Sequence, residues 1–177
     1  MALARAALKA GHKATLISTV RPAISLKAKT LFVNTAQEMF IAVKKHFPHC
    51  DCLIMAAAVA DFTPTKPSKT KIKKTNKPLT IKLKPTADIL KWASSHRKKH
   101  QKVIGFALED KNIKVNAEKK LKSKRLDMII ANTPKAISAD KTQVYIKTIN
   151  TDWLKIPYAS KDIVADKIIR FIEKLFT

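Results

Sequence analysis

Three short apolar runs limit what this chain can fold into. Residues 52–55, 102–107 and 126–131 are too short for stand-alone helices and lack the strict polar alternation of a half-wet strand. They are therefore expected to be strands buried on both faces, as in a parallel sheet covered by helices. Segments with helical periodicity lie between and after them. Thr35-Ala36-Gln37-Glu38 forms a capping box that opens a helix with Ala36, Phe40, Val43 and Phe47 on one face. Asp88 is placed to cap a helix through His96, and Asn112 one through Lys124. Ser160 opens a terminal helix with Val164, Ile168, Phe171 and Leu175 inward. Further strands are expected over 14–20, 31–34 and 53–59. Residues 79–84 and 144–149 alternate with period two, the latter pairing near 153–156. The whole predicts one α/β layered domain over residues 1–177, with a mostly parallel sheet and an antiparallel edge.

The strand expected over 53–59 points to chemistry. It runs into Ala56-Ala57-Ala58-Val59-Ala60-Asp61-Phe62, followed ten residues after the aspartate by Lys71-Ile72-Lys73-Lys74. Small side chains let a ligand approach the backbone, and ligands of open α/β sheets bind beyond the carboxyl ends of strands. Asp61 can serve a ribose hydroxyl, a base amino group or a magnesium ion, and Lys71 can neutralise phosphate. The plainer alternative is a packed strand end followed by a solvated linker. Residues 63–78 hold Pro64, Pro67 and many lysines with Ile72 and no periodicity, which predicts a mobile basic loop.

The formal charge of +23 attracts polyanions of every kind. It is carried almost entirely by lysines spread along the chain, with arginine only at positions 5, 21, 97, 125 and 170. That pattern favours a lysine-rich surface over a specific nucleic-acid reader, which leans on bidentate arginine. No run approaches the roughly 20 apolar residues of a membrane span. A soluble, cytoplasmic protein with no membrane partner is expected. Glu38 is the first acidic residue, so a mitochondrial presequence is the competing reading of the N-terminus. Leu3, Ala7 and Ala10 nonetheless form a helical stripe with Gly11 as a C-terminal cap. His46, His49, Cys50 and Cys52 supply zinc-type donors at spacings unlike the usual paired-ligand knuckles, so no metal ligand is assigned.

Gly11 and Gly105 are the only glycines. Neither a Walker loop nor a G-x-G-x-x-G turn can be assembled from them, so phosphates must be held by lysines or by a segment outside this sequence.

Five strings then stand in order: Ala57-Ala58-Val59-Ala60-Asp61-Phe62, Lys71-Ile72-Lys73-Lys74, Ala87-Asp88-Ile89-Leu90, Ile104-Gly105-Phe106-Ala107-Leu108-Glu109 and Leu126-Asp127-Met128-Ile129-Ile130-Ala131-Asn132. Together they resemble bacterial phosphopantothenate-cysteine ligase, the synthetase domain of the bifunctional coenzyme A biosynthesis flavoprotein. The resemblance implies a Rossmann-like homodimer that uses CTP and Mg²⁺ to join 4'-phosphopantothenate to cysteine through an acyl-cytidylate. It implies that Lys71 is the catalytic lysine and that Met55, Ala56, Ala57 and Asp61 line the nucleotide or substrate edge. Ala87, Asp88, Ile89 and Leu90 would shape the nucleotide pocket, Phe106 would pack on the nucleotide, Lys120 and Lys124 would reach its phosphates, and Asn132 would close the site. Lys120 and Lys124 are four apart, so a helix presents both on one face, which by itself also suits a solvated basic surface.

Two departures from the family pattern stand out. Thr86-Ala87 replaces the usual Asn-Pro before Asp88-Ile89. The family's first strand, its Gly-Gly-Thr turn and a Ser-Ser-Gly loop with an essential asparagine have no counterpart, which implies an N-terminally truncated domain. On that expectation the strands next to the lost one are left unpaired, and the chain alone has weak or no ligase activity. A separate chain carrying the missing segment, or a separate decarboxylase, would be its partner. The alternative is a non-catalytic basic α/β protein that binds nucleic acid or acts as a dimer partner.

Overall fold

The computed structural model describes residues 1–21, 27–68, 70–74, 76–134 and 139–177. In chain order the elements are α1 (Ala2–Lys9), β1 (Thr15–Ser18), β2 (Lys29–Phe32), α2 (Ala36–His46), a 3-10 turn (Phe47–His49), β3 (Cys52–Met55), β4 (Phe62–Pro64) and β5 (Leu83–Pro85). They continue with α3 (Ile89–His96), β6 (Lys102–Leu108), α4 (Ile113–Ser123), β7 (Met128–Asn132), β8 (Lys141–Thr148), β9 (Leu154–Ser160) and α5 (Lys161–Glu173). No helix among the described residues is long and apolar enough to cross a membrane.

The three apolar runs form the parallel half of a five-stranded sheet ordered β3-β6-β7-β8-β9. β3, β6 and β7 are parallel, and the β8–β9 hairpin continues the sheet antiparallel. Alternation along the strands divides the core in two. Val103, Ala107, Ile129 and Ala131 face α2, α3 and α4, where Val43, Phe47, Leu90, Ala93, Ala117 and Leu121 are buried. Ile104, Met128 and Ile130 face α1 and α5, against Ala6, Val164, Ile168 and Ile172. Burying strands on both faces removes the periodic polar positions, which is why these runs read as continuously apolar.

β1 and β2 form a separate parallel pair, and β4 with β5 an antiparallel ribbon. Among the described residues β1 and β3 each have one strand neighbour. Ile17 and Leu53 nevertheless pack on the same core.

The caps follow the sequence closely. Thr35 accepts from the Glu38 N–H at 3.1 Å, while the Glu38 carboxylate accepts from the Asn34 N–H at 2.8 Å, one residue earlier than a strict capping box requires. Asp88 accepts from the Lys91 N–H at 3.0 Å and Ser160 from the Ile163 N–H at 3.4 Å. Gly11 has φ +87°; its N–H bonds Leu8 and that of His12 bonds Ala7, which closes α1 as a Schellman motif. Of the expected N-terminal stripe, Leu3 and Ala7 pack against α5 around the buried Ala6 while Ala10 is exposed, and the contact is flanked by Arg5–Asp162, Lys9–Asp166 and His12–Glu173 pairs at 2.6, 2.7 and 2.8 Å.

Three expectations need correction. Asn112 precedes α4 but adopts φ +49° and its side chain makes no cap bond, because the turn from β6 needs a left-handed residue there. The strand expected over 53–59 ends at Met55, whose pairing with Gly105 is the last of β3. The strand expected over 79–84 is confined to Leu83–Pro85, and Leu79, Ile81 and Leu83 are all exposed. Their alternation does not separate a wet face from a dry one, since Leu79 and Ile81 precede the strand and all three side chains are open to solvent. Within the 63–78 loop, Lys69 and Thr75 lie outside the described residues.

Candidate functional site

Parallel strands place all their carboxyl ends on one edge. Met55 pairs with Gly105, and Leu108 with Asn132, so the residues leaving β3, β6 and β7 converge there. Met55 is buried and anchors the edge, while Ala56 and Ala57 are exposed with only methyl groups beyond the backbone. Val59 folds back onto the core.

The chain after the alanines is tied to the start of α3. Thr86 donates its hydroxyl to the Ala60 carbonyl at 2.6 Å and its N–H to the Asp61 carbonyl at 2.9 Å. Thr86 thus fixes with two hydrogen bonds the approach that an Asn-Pro would fix by ring geometry. That role was not legible in the sequence, where Thr86 registers only as a departure. Ala87 is exposed, and Ile89 and Leu90 are buried beneath the edge.

Lys120 and Lys124 reach this edge from α4 and the residue that caps it. The Lys120 ammonium donates to the Phe106 carbonyl at 2.7 Å, bridging α4 to the end of β6. Burial lowers its pKa and Lys124 adds to that, while the carboxylates of Glu109, Asp88 and Asp61 pull the other way. One half-buried ammonium thus feels three carboxylates and a second ammonium at one strand edge. Lys124 pairs with Asp88 at 3.2 Å. Burial opposes ionisation of Asp88, but the Lys91 N–H and the Lys124 ammonium together hold its carboxyl below the ordinary value.

Glu109 belongs to the same group and was not singled out from the sequence. Its carboxylate accepts from Asn116 at 3.1 Å, and its N–H donates to the Asn132 carbonyl at 3.0 Å. A carboxylate directly after a buried strand is the signal that marks it. Asn132 ends β7, partly exposed.

Two expected site residues stand apart. Phe106 lies on the other face of the sheet from Lys120, its ring packed on the α1 and α5 core. Its carbonyl, rather than its ring, is what joins the lysine. Lys71 is exposed on the loop between β4 and β5, with no bonded partner among the described residues.

The donors near β3 do not form a metal set. The Cys50 thiol bonds the His46 carbonyl at 3.3 Å, and burial, with Asp127, Cys50 and Asp51 adding to it, pushes the Cys52 thiol up to about 12.

The Asp88 pair makes a prediction. Because its folded pKa is depressed, the stability it contributes is present above its unfolded value of about 3.9 and is lost as pH falls through the folded value. Lys124→Met is expected to move the Asp88 titration midpoint upward in side-chain carbonyl NMR. An unchanged midpoint would show that the ion pair is too solvated to matter.

With this geometry in hand, comparison with known proteins is specific. Residues 1–176 match the family described as the DNA/pantothenate metabolism flavoprotein C-terminal domain. The chain is 38% identical over 180 residues to the coenzyme A biosynthesis bifunctional protein CoaBC of Bacillus subtilis, covering 98% of this chain and 44% of that protein. It is 40% identical over 181 residues to a cysteine/cysteine sulfinic acid decarboxylase of an unknown prokaryotic organism, covering 97% of this chain and 50% of that one. The chain thus spans about half the length of the curated relatives it matches. Among solved structures, the C-terminal domain of CoaBC superposes with a TM-score of 0.80 at 30% identity, covering 98% of this chain and 80% of that one.

Proposed function

The chain belongs to the family of DNA/pantothenate metabolism flavoprotein C-terminal domains, and from that premise we propose that it serves as the phosphopantothenate-cysteine ligase unit of coenzyme A biosynthesis. The observation that carries the reading is the Lys120 ammonium, held by the Phe106 carbonyl at the parallel-strand edge with Lys124 beside it.

In the proposed reaction a carboxylate oxygen of 4'-phosphopantothenate attacks the α-phosphorus of CTP, and the bond to the β-phosphate oxygen breaks to release pyrophosphate. The cysteine amine then attacks the acyl carbon, CMP leaves, and the amine proton passes to solvent. Lys120 and Lys124 stabilise negative charge as it builds on the phosphoryl oxygens. Lys71 brings a third ammonium from the β4–β5 loop. Ala56 and Ala57 leave the backbone open to the substrate, and Asn132 closes the far side. Asp61 accepts from the nucleotide's hydroxyl or amino groups. The nucleotide carries Mg²⁺ with it, since that ion is usually bound through one or two carboxylates plus substrate phosphates, and it shares the triphosphate charge.

The homodimer also belongs to this reading. Phe62, Ile72, Leu79, Ile81 and Leu83 are each more than half exposed on the β4–β5 ribbon and its loop. Apolar surface concentrated on one projection is suited to burial against a second copy. A cytoplasmic location follows from the substrates proposed.

Nucleotide titrations test the reading. CTP is expected to saturate at lower concentration than ATP or GTP, and both Lys71→Gln and Lys120→Gln should weaken it. Equal affinity for all three nucleotides, or tight RNA binding that collapses between about 50 and 200 mM salt, contradicts it.

A further inference from the structure

At the other end of the parallel strands, where β6 and β7 begin, a cavity of ≈ 490 Å³ opens among Arg97, Lys102, Lys122 and Arg125. Asp127 is the single carboxylate in its lining, and it is already committed: it pairs with Arg97 and accepts the Val103 N–H at 2.7 Å. The other three cations therefore face the cavity without an opposing charge in its lining. Lys122 does pair with Glu118 at 2.9 Å, but this is an exposed pair one helical turn apart, of the kind that solvent exchanges freely. The Lys102 ammonium lies 6.0 Å from the Phe176 ring centroid and has no anionic partner among the described residues. The Arg125 guanidinium has no bonded partner among the described residues.

Arg125 adds a second, independent observation. It has φ +51° at the position following α4. There its N–H bonds the Lys122 carbonyl at 3.1 Å and the Leu126 N–H bonds that of Leu121 at 3.0 Å, completing a Schellman motif. That position favours glycine, and an arginine is held there against its backbone preference. The motif also satisfies two terminal carbonyls of α4, so fewer negative dipole ends point toward an incoming anion. The cavity is completed by Asn150 from the β8–β9 turn and by apolar side chains of α4 and the C-terminus, which suits a ligand with both anionic and uncharged parts.

We propose that this cavity is an anion site for a small organic phosphate, distinct from the Lys120 edge, with Arg125, Lys102 and Lys122 as the phosphate-binding groups. Concavity and an apolar wall favour a small phosphate ester over a nucleic-acid backbone, which needs an extended basic track. Guanidinium and ammonium groups together match phosphoryl oxygens.

Inorganic pyrophosphate is the probe, added to the full chain and followed by residue-resolved amide NMR. The expected result is saturable shifts at Arg125, Leu126 and Asn150 that persist in Lys120→Gln. Arg125→Gly should weaken this site about tenfold, a typical loss for one charge-assisted contact, while its melting temperature stays the same or rises because glycine suits the backbone. Lys102→Gln should weaken the site without touching that backbone. Shifts confined to Phe106, Asp88 and their neighbours, or an Arg125→Gly chain that binds as well as the parent, would overturn the proposal. So would a short RNA that occupies Arg125 and Asn150 at lower concentration than pyrophosphate. Loss of CTP binding at the Lys120 edge, with this site intact, would contradict the ligase reading alone.

Discussion

Lys120→Gln is expected to lower the rate of phosphopantothenate-dependent CMP release by about two to three orders of magnitude, the usual cost of removing one preorganised group that stabilises transition-state charge. The side chain is well placed for so large an effect. It is half-buried, fixed by the Phe106 carbonyl at 2.7 Å, and its neighbour Lys124 is held in turn by Asp88 at 3.2 Å. A glutamine is too short to span the same gap, so the Phe106 carbonyl also loses its donor. Burial and Lys124 lower the Lys120 pKa, so the active ammonium is lost on the alkaline side below the ordinary lysine value of about 10.4. The pH profile of the parent should therefore fall on an alkaline limb that is absent from the residual activity of Lys120→Gln. A drop of less than about threefold, with no change in the alkaline limb, would remove Lys120 from the chemistry.

Gly105→Val is expected to be the most destabilising single change near the site, by about 3 kcal/mol, toward the upper end of the range for overpacked cores. A Cβ at Gly105 would lie 2.7 Å from Leu126 Cδ1, 3.2 Å from Leu90 Cδ1 and 3.3 Å from Ile129 Cδ1. Those atoms are the ends of side chains, so alanine can be accommodated by small rotations at about 1 kcal/mol. Valine adds two methyl groups where Leu90, Leu126 and Ile129 converge and cannot be accommodated that way. For a chain of this length the melting temperature should fall by roughly 6–12 °C for valine. Equal melting temperatures for Gly105→Val and the parent would mean that this part of the core is looser than the packing indicates.

The same residue shows why parts of the molecule are easy to read and others are not. Gly105 sits in a buried run whose apolar continuity marks it as a two-faced strand, and β6 duly spans Lys102–Leu108. Asp88 and Thr35 are legible because a cap is a local device: the residue and the N–H that it accepts are three positions apart. Thr86 is not legible, since its partners are carbonyls on a segment 25 and 26 residues earlier in the chain. The direction in which the Phe106 ring points depends on which neighbours cover each face of the sheet, a tertiary matter that alternation alone leaves open. Leu79, Ile81 and Leu83 mislead for the related reason that alternation signals a buried face only where some layer covers it. Glu109 had its signal in plain view, a carboxylate at the carboxyl end of a buried strand. Its meaning came only with Lys120 brought beside it from α4.

The most direct test of the account is to map CTP, with Mg²⁺ and 4'-phosphopantothenate, onto the chain by residue-resolved amide shifts. The account predicts saturable changes at Ala56, Ala57, Asp88, Phe106 and Asn132, all diminished in Lys120→Gln. CTP-dependent changes that avoid this edge, or that are the same in Lys120→Gln as in the parent, would contradict it.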